Sequence, residues 1–164
     1  MNFNVSGLAL PPVDPSVIVR ENTSLSWGII LFDTLCMNAD RHIWNISHNQ
    51  STNKIQVFDH SHAFVGTNGN VSATLAAGVD HLSIGGHCLV GQIQGVDGYQ
   101  MWCDRIKTLP EFFIEGIVAD ACDVGILPAH KNECADSLLK RRDRIENLIK
   151  DNLGGFPNLP QGAI

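Results

Sequence analysis

Several signals are missing from this chain, and each absence removes a class of protein. No uninterrupted apolar stretch approaches the roughly eighteen residues that mark a membrane-spanning helix, so no membrane span is expected. Met1 to Arg20 hold no basic start followed by an apolar core. No secretory signal is read there, and the cytoplasm is the expected compartment. The five cysteines, Cys36, Cys88, Cys103, Cys122 and Cys134, form no C-x-x-C pair, which removes a zinc knuckle or a thioredoxin-type motif. Reduced core thiols are the reading that remains. Charge is scarce too: 17% of residues carry one, and the net charge of −6 offers no basic footprint for nucleic acid.

What is present suits one folded domain. With 164 residues and 44% hydrophobic content, the chain can build a single core. Asn-x-Ser sequons at Asn4, Asn22, Asn45, Asn49 and Asn70 read as chance in an Asn- and Ser-rich chain outside the secretory route. The expected organisation is an irregular arm over residues 1–24, marked by Pro11, Pro12 and Pro15, then a body over 25–153, then a Pro-containing tail over 154–164.

Within the body, Leu25 to Cys36 reads as a buried helix, with Thr23 or Ser24 as its N-cap and Gly28 as a mild weakness. Residues 66–98 are glycine-rich and read as loop. Tyr99 to Leu109 and Glu111 to Cys122 read as helices separated by Pro110. Pro128 to Asp151 reads as a long amphipathic helix with Leu138, Leu139, Ile145, Leu148 and Ile149 on one face. Its Lys140-Arg141-Arg142 run reads as a solvated face. The fold class is therefore mainly α, an α+β arrangement with one small hairpin.

That hairpin carries the chemistry. Asn38-Ala39-Asp40-Arg41-His42-Ile43-Trp44-Asn45 is followed by Val57-Phe58-Asp59-His60-Ser61-His62-Ala63-Phe64. An Asp with an Asn five residues later, then a second Asp closing an apolar run, is the pattern phosphoryl transfer uses. The first Asp orients the attacking hydroxyl, the Asn holds Mg²⁺, and the later Asp holds the metal against the nucleotide phosphates. Ile43 to Ile46 and Ile55 to Phe58 are short β-prone runs with a polar tip between them. A hairpin there returns Asp59 toward Asp40 and Asn45. Oxygen ligands suit Mg²⁺ or Mn²⁺.

The N-x-D-R-H-x-x-N segment and the D-H-S-H-A-F element resemble the catalytic core of HipA-like and phosphatidylinositol 3-/4-kinase-like atypical kinases. The close match runs from Phe32 to Phe64; Trp102, Arg105, Ile106 and Leu138 to Arg142 add fainter similarity. The resemblance implies a kinase-like C-lobe in which Asp40 is the catalytic Asp and His42 shares acid/base work. Asn45 and Asp59 would then bind metal and, through it, ATP, and Arg41 would brace the loop. It also implies a protein, lipid or small-molecule hydroxyl as acceptor. Ser61 stands where the family often has Gly, and bulky Trp44 precedes Asn45. No G-x-G-x-x-G precedes Asp40, and Arg20 and Glu21, the charged candidates there for a Lys–Glu pair, are adjacent in sequence. The expectation is thus a C-lobe without its N-lobe, completed by a separate N-lobe or partner chain.

Two other classes compete. A metal-dependent hydrolase would use His60, His62, His81 and His87, although no H-E-x-x-H accompanies them. A kinase-like module that only binds a partner would keep the loop and dispense with transfer.

Overall fold

Start and stop signals for helices sit close to where the chain uses them. The computed structural model describes residues 4–5, 8–9, 13–64, 70–82, 84–125 and 130–164. These form α1 (Pro15–Glu21), α2 (Thr23–Leu35), α3 (Val71–Gly78), α4 (Tyr99–Lys107), α5 (Glu111–Asp123) and α6 (Lys131–Lys150). Two antiparallel hairpins complete the set: β1 (Asn4–Val5) with β2 (Leu8–Ala9), and β3 (Ile46–Asn49) with β4 (Lys54–Val57). The chain is mainly helical with small sheets, and none of the described helices is long and apolar enough to cross a membrane.

The expected irregular arm over residues 1–24 is corrected here. Pro15 occupies the first turn of α1, where its missing N–H costs nothing. Asp14 caps the helix by accepting from the Ser16 N–H at 2.9 Å and the Ser16 hydroxyl at 2.7 Å. Ile18 and Val19 then enter the core. The proline begins a helix instead of breaking one.

Helix α2 starts two residues earlier than Leu25, and its N-cap is Asn22, which makes no side-chain cap bond. The Asn22 amide instead exchanges hydrogen bonds with Asn53 at 2.8 and 2.9 Å, tying the β3–β4 tip to the α1–α2 junction. Trp27, Ile30 and Leu31 are fully buried, as are Ser26 and Asp33 or nearly so. A helix buried on most sides is a central one. Gly28 is required by this packing: a Cβ there would stand 2.5 Å from Trp102 Cε2.

The Trp27 ring meets Tyr99 edge-on at 4.9 Å and stacks on Phe156 at 5.4 Å, and its Nε1 donates to the Gly95 carbonyl at 2.8 Å. The expected tail over 154–164 is thereby docked: Phe156 is a core residue. Residues 66–98, expected as loop, contain α3, capped by Asn70 accepting from the Ala73 N–H, and a 3₁₀ turn at Val90–Gln92. The expected α4 and α5 appear nearly as read, with Pro110 as the N-cap of α5. Helix α6 begins at Lys131; Pro128 lies outside the described residues.

One charged run was misplaced by its own composition. Arg141 is buried, not solvated. Its guanidinium donates to the carbonyls of Thr34, Leu35, Gly78 and His81, joining the ends of α2 and α3 to α6.

Candidate functional site

The site grows from the C-terminus of α2. Cys36 closes that helix, Met37 turns the chain at φ 56°, and residues 38–45 form a loop before β3. The expected strand over Ile43 to Ile46 is displaced: β3 begins at Ile46, and Asn45 closes a turn by donating its N–H to the His42 carbonyl at 3.0 Å. The hairpin register pairs Ile46 with Val57, so Asn45 and Phe58 meet just beyond the ladder, where the Phe58 N–H donates to the Asn45 carbonyl at 3.1 Å. Hairpin closure therefore does bring the two halves of the motif together.

Arg41 holds them there. The side chain is fully buried. Its Nε and Nη2 grip the Asp33 carboxylate at 2.7 and 2.8 Å, a two-point pairing. Its Nη1 donates to the Asn45 carbonyl at 2.8 Å and to the Phe58 carbonyl at 2.7 Å. One guanidinium thus fixes the backbone at Asn45 and directly before Asp59. Nη2 also lies 3.0 Å from His60 Nε2. Arginine can only donate, so that ring nitrogen accepts and His60 is neutral. Burial, followed by the Arg41 charge, lowers the His60 pKa accordingly.

Asp33 is the counter-ion of this brace. Asn38 Nδ2 donates to it at 2.9 Å, and His87 Nε2 stands 3.3 Å from its second oxygen, off the hydrogen-bonding direction. His87 Nδ1 accepts from the Leu89 N–H, which leaves the ring proton on Nε2, the nitrogen nearer the carboxylate. Burial alone would raise the Asp33 carboxyl. The Arg41 and His87 contacts, the Arg41 charge and the Asn38 amide outweigh it and bring the pKa to about 2.

Above the brace lie the candidate reacting groups. Asp40 Oδ2 is flanked by His42 Nε2 at 3.7 Å and His62 Nε2 at 3.8 Å, and all three side chains are partly exposed. His42 Nδ1 accepts from the Trp44 N–H at 3.1 Å, which leaves Nε2 as the nitrogen facing Asp40. Asn45 Nδ2 donates to the Asp40 carbonyl at 2.8 Å, locking the D-x-x-x-x-N turn on itself. Asp59 has a left-handed backbone, φ 54°, unusual for a residue with a Cβ. Ser61 donates to its carboxylate from the hydroxyl at 2.7 Å and the N–H at 3.3 Å. These bonds first, and then the His62 and His42 charges, hold the Asp59 carboxyl below its ordinary range. The histidines beside Asp40 are therefore electrostatic neighbours of Asp59 as well.

No family model, curated protein or solved structure matches this chain. The site is read from its geometry alone.

Asp40, His42 and Asn45 lie in the loop before β3, and Asp59 follows β4, one residue past the Phe58–Asn45 backbone bond. The four histidines of the hydrolase reading take separate positions: His60 meets Arg41, His62 meets Asp40, His87 meets Asp33, and His81 is exposed. Among the described residues, no three His, Cys, Asp or Glu side chains gather closely enough to hold an ion. Three of the thiols are poor nucleophiles: burial pushes Cys36 up to about 12, and Cys88 and Cys103 up to about 11. Asp33 and Asn38 have no separate role in the sequence reading, and His87 enters it only as a hydrolase ligand. An Asp inside the apolar run Ile29 to Leu35 is the signal that marks the first of them.

Proposed function

We propose that this chain carries an atypical-kinase-type phosphoryl-transfer site, taking ATP with Mg²⁺ or Mn²⁺ and a hydroxyl acceptor on a protein, lipid or small molecule. The observation that carries this reading is Arg41 Nη1, which bonds the carbonyls of Asn45 and Phe58 together. It fixes the chain at one metal-ligand candidate and immediately before the other. Chemistry of this kind depends on positioning and charge stabilisation more than on covalent participation, and a buried brace meets that need.

In this reading Asn45 and Asp59 would hold the metal, whose positive charge would offset that of the phosphates. Asp40 orients the acceptor hydroxyl and receives its proton, with His42 beside it to share that proton. The reading also requires a phosphate-covering element with a lysine, supplied elsewhere in the polypeptide or by a partner chain. Without such an element, these residues should transfer phosphate weakly.

The test compares two variants. Paramagnetic broadening by Mn²⁺ should centre on the residues 40–62 loops in the wild type, persist in Asp40→Ala and vanish in Asp59→Ala. Once a phosphate-covering lobe is present, Asp40→Ala should abolish transfer while leaving nucleotide binding intact. Transfer unchanged by Asp40→Ala would overturn the assignment. Tight stoichiometric zinc binding would favour the hydrolase reading instead.

A further inference from the structure

The outer side of α5 is a surface that the site does not use. Ile114 and Val118 turn into the core beside α6, while Phe112, Phe113, Ile117 and Val124 remain 75%, 48%, 52% and 70% exposed. Phe113, Ile117 and Val124 are spaced four and seven residues apart, which sets them along one side of the helix axis. Single exposed apolar residues are ordinary on a folded protein, but three aligned along one side of a helix and its cap, with Phe112 about a quarter-turn away, form an apolar stripe. A Cβ at Gly116 would meet nothing within 4 Å, so the face is open along its middle.

Charge selects what can cover it. Glu111, Glu115, Asp120 and Asp123 are all exposed, and α5 contains no Lys or Arg. The basic side chain at its entry, Arg142, is engaged with Asp143 at 2.8 Å and the Leu109 carbonyl at 2.8 Å. A second copy laid on this stripe would set Asp120 and Asp123 against their own counterparts, and an anionic lipid surface would be repelled in the same way. A helix with apolar anchors at i, i+4 and i+7 and Lys or Arg on its flanks satisfies both the stripe and the acids.

We propose that α5 is a docking surface for a basic amphipathic helix of a protein partner. The probe is a synthetic helical peptide about 18 residues long, with Leu on one face and Lys on its flanks, and a twin with Glu for Lys. Fluorescence anisotropy should show the Lys peptide binding the wild-type chain and the Glu twin failing to bind. The Phe113→Ser/Ile117→Ser variant and the Asp120→Lys/Asp123→Lys variant should each weaken binding about tenfold or more. Amide exchange should slow on α5 when the peptide is present. Equal binding by the Phe113→Ser/Ile117→Ser variant, or by the Glu twin, would overturn the proposal. So would self-association of the wild type, or adsorption to anionic phosphatidylserine vesicles, that those serine substitutions remove.

Discussion

Two arginines are buried in this molecule, and they are neutralised in different ways. Arg41 faces a carboxylate, Asp33, and adds two carbonyls and a histidine nitrogen. Arg141 is bonded to backbone carbonyls, those of Thr34, Leu35, Gly78 and His81. Thr34, Leu35 and Gly78 end α2 and α3, where helix dipoles leave partial negative charge. Burial lowers the Arg141 pKa to about 10, with Cys36 and Asp80 opposing it. The first arrangement fixes a reactive loop through a full counter-charge. The second fastens three helices together through partial charges. Equal burial therefore does not mean equal dependence on a partner.

The sharpest way to break this comparison is Arg41→Met, which leaves Asp33 as an uncompensated buried acid. Its expected cost is about 3–5 kcal/mol in urea unfolding, together with loss of Mn²⁺ binding at the loop. Arg141→Met should cost less, about 1–3 kcal/mol, with Mn²⁺ binding retained. The reason is visible in the acceptors: the Thr34 carbonyl still receives the Met37 N–H and the Gly78 carbonyl the His81 N–H. If the Arg141 variant proves the more damaging, the counter-ion explanation fails.

A pH series sharpens the same contrast. The Asp33 carboxyl lies at about 2 in the folded chain against an ordinary value of 3.8. A carboxyl depressed by folding adds stability above its unfolded pKa and loses it as pH falls toward the folded one. Stability should thus decline by about 2 kcal/mol between pH 4 and pH 2 through this group. Unfolding curves for Asp33→Asn should start from a lower stability but show a flatter acid slope. The smallest effect belongs to Asp59→Gly. Glycine adopts φ 54° without strain, while the Ser61 bonds are lost, so stability should stay within about 1 kcal/mol of wild type. Mn²⁺ binding should nonetheless disappear, separating ligand from scaffold.

The same contrast explains what was legible in the sequence. Arg41 is eight residues from Asp33 and four from Asn45, so a local motif captures most of its surroundings. Arg141 lies 107 residues from Thr34 and 63 from Gly78, and its neighbours Lys140 and Arg142 disguise it as part of a solvated run. Helices α4, α5 and α6 follow their apolar periodicity, and Pro110 divides them as expected. The β3 boundary moves because Asn45 spends its amide on the Asp40 carbonyl and its N–H on His42, closing a turn where β propensity favoured a strand. Helix α3 escapes notice since an alanine-rich single turn pair has little amphipathic signal beside many glycines. Phe156 looks like tail until Trp27 is present to receive it.

The bond pair from Arg41 to Asn45 and Phe58 has a practical corollary for engineering. It clamps both ends of the β3–β4 excursion at its base, while the tip is held by its own local bonds, Ser51 and Thr52 to Asn49 and the exposed Asn22–Asn53 amide pair. A fluorophore seated at the exposed Gln50 should be tolerated there, giving a reporter that rides on the site without remodelling it.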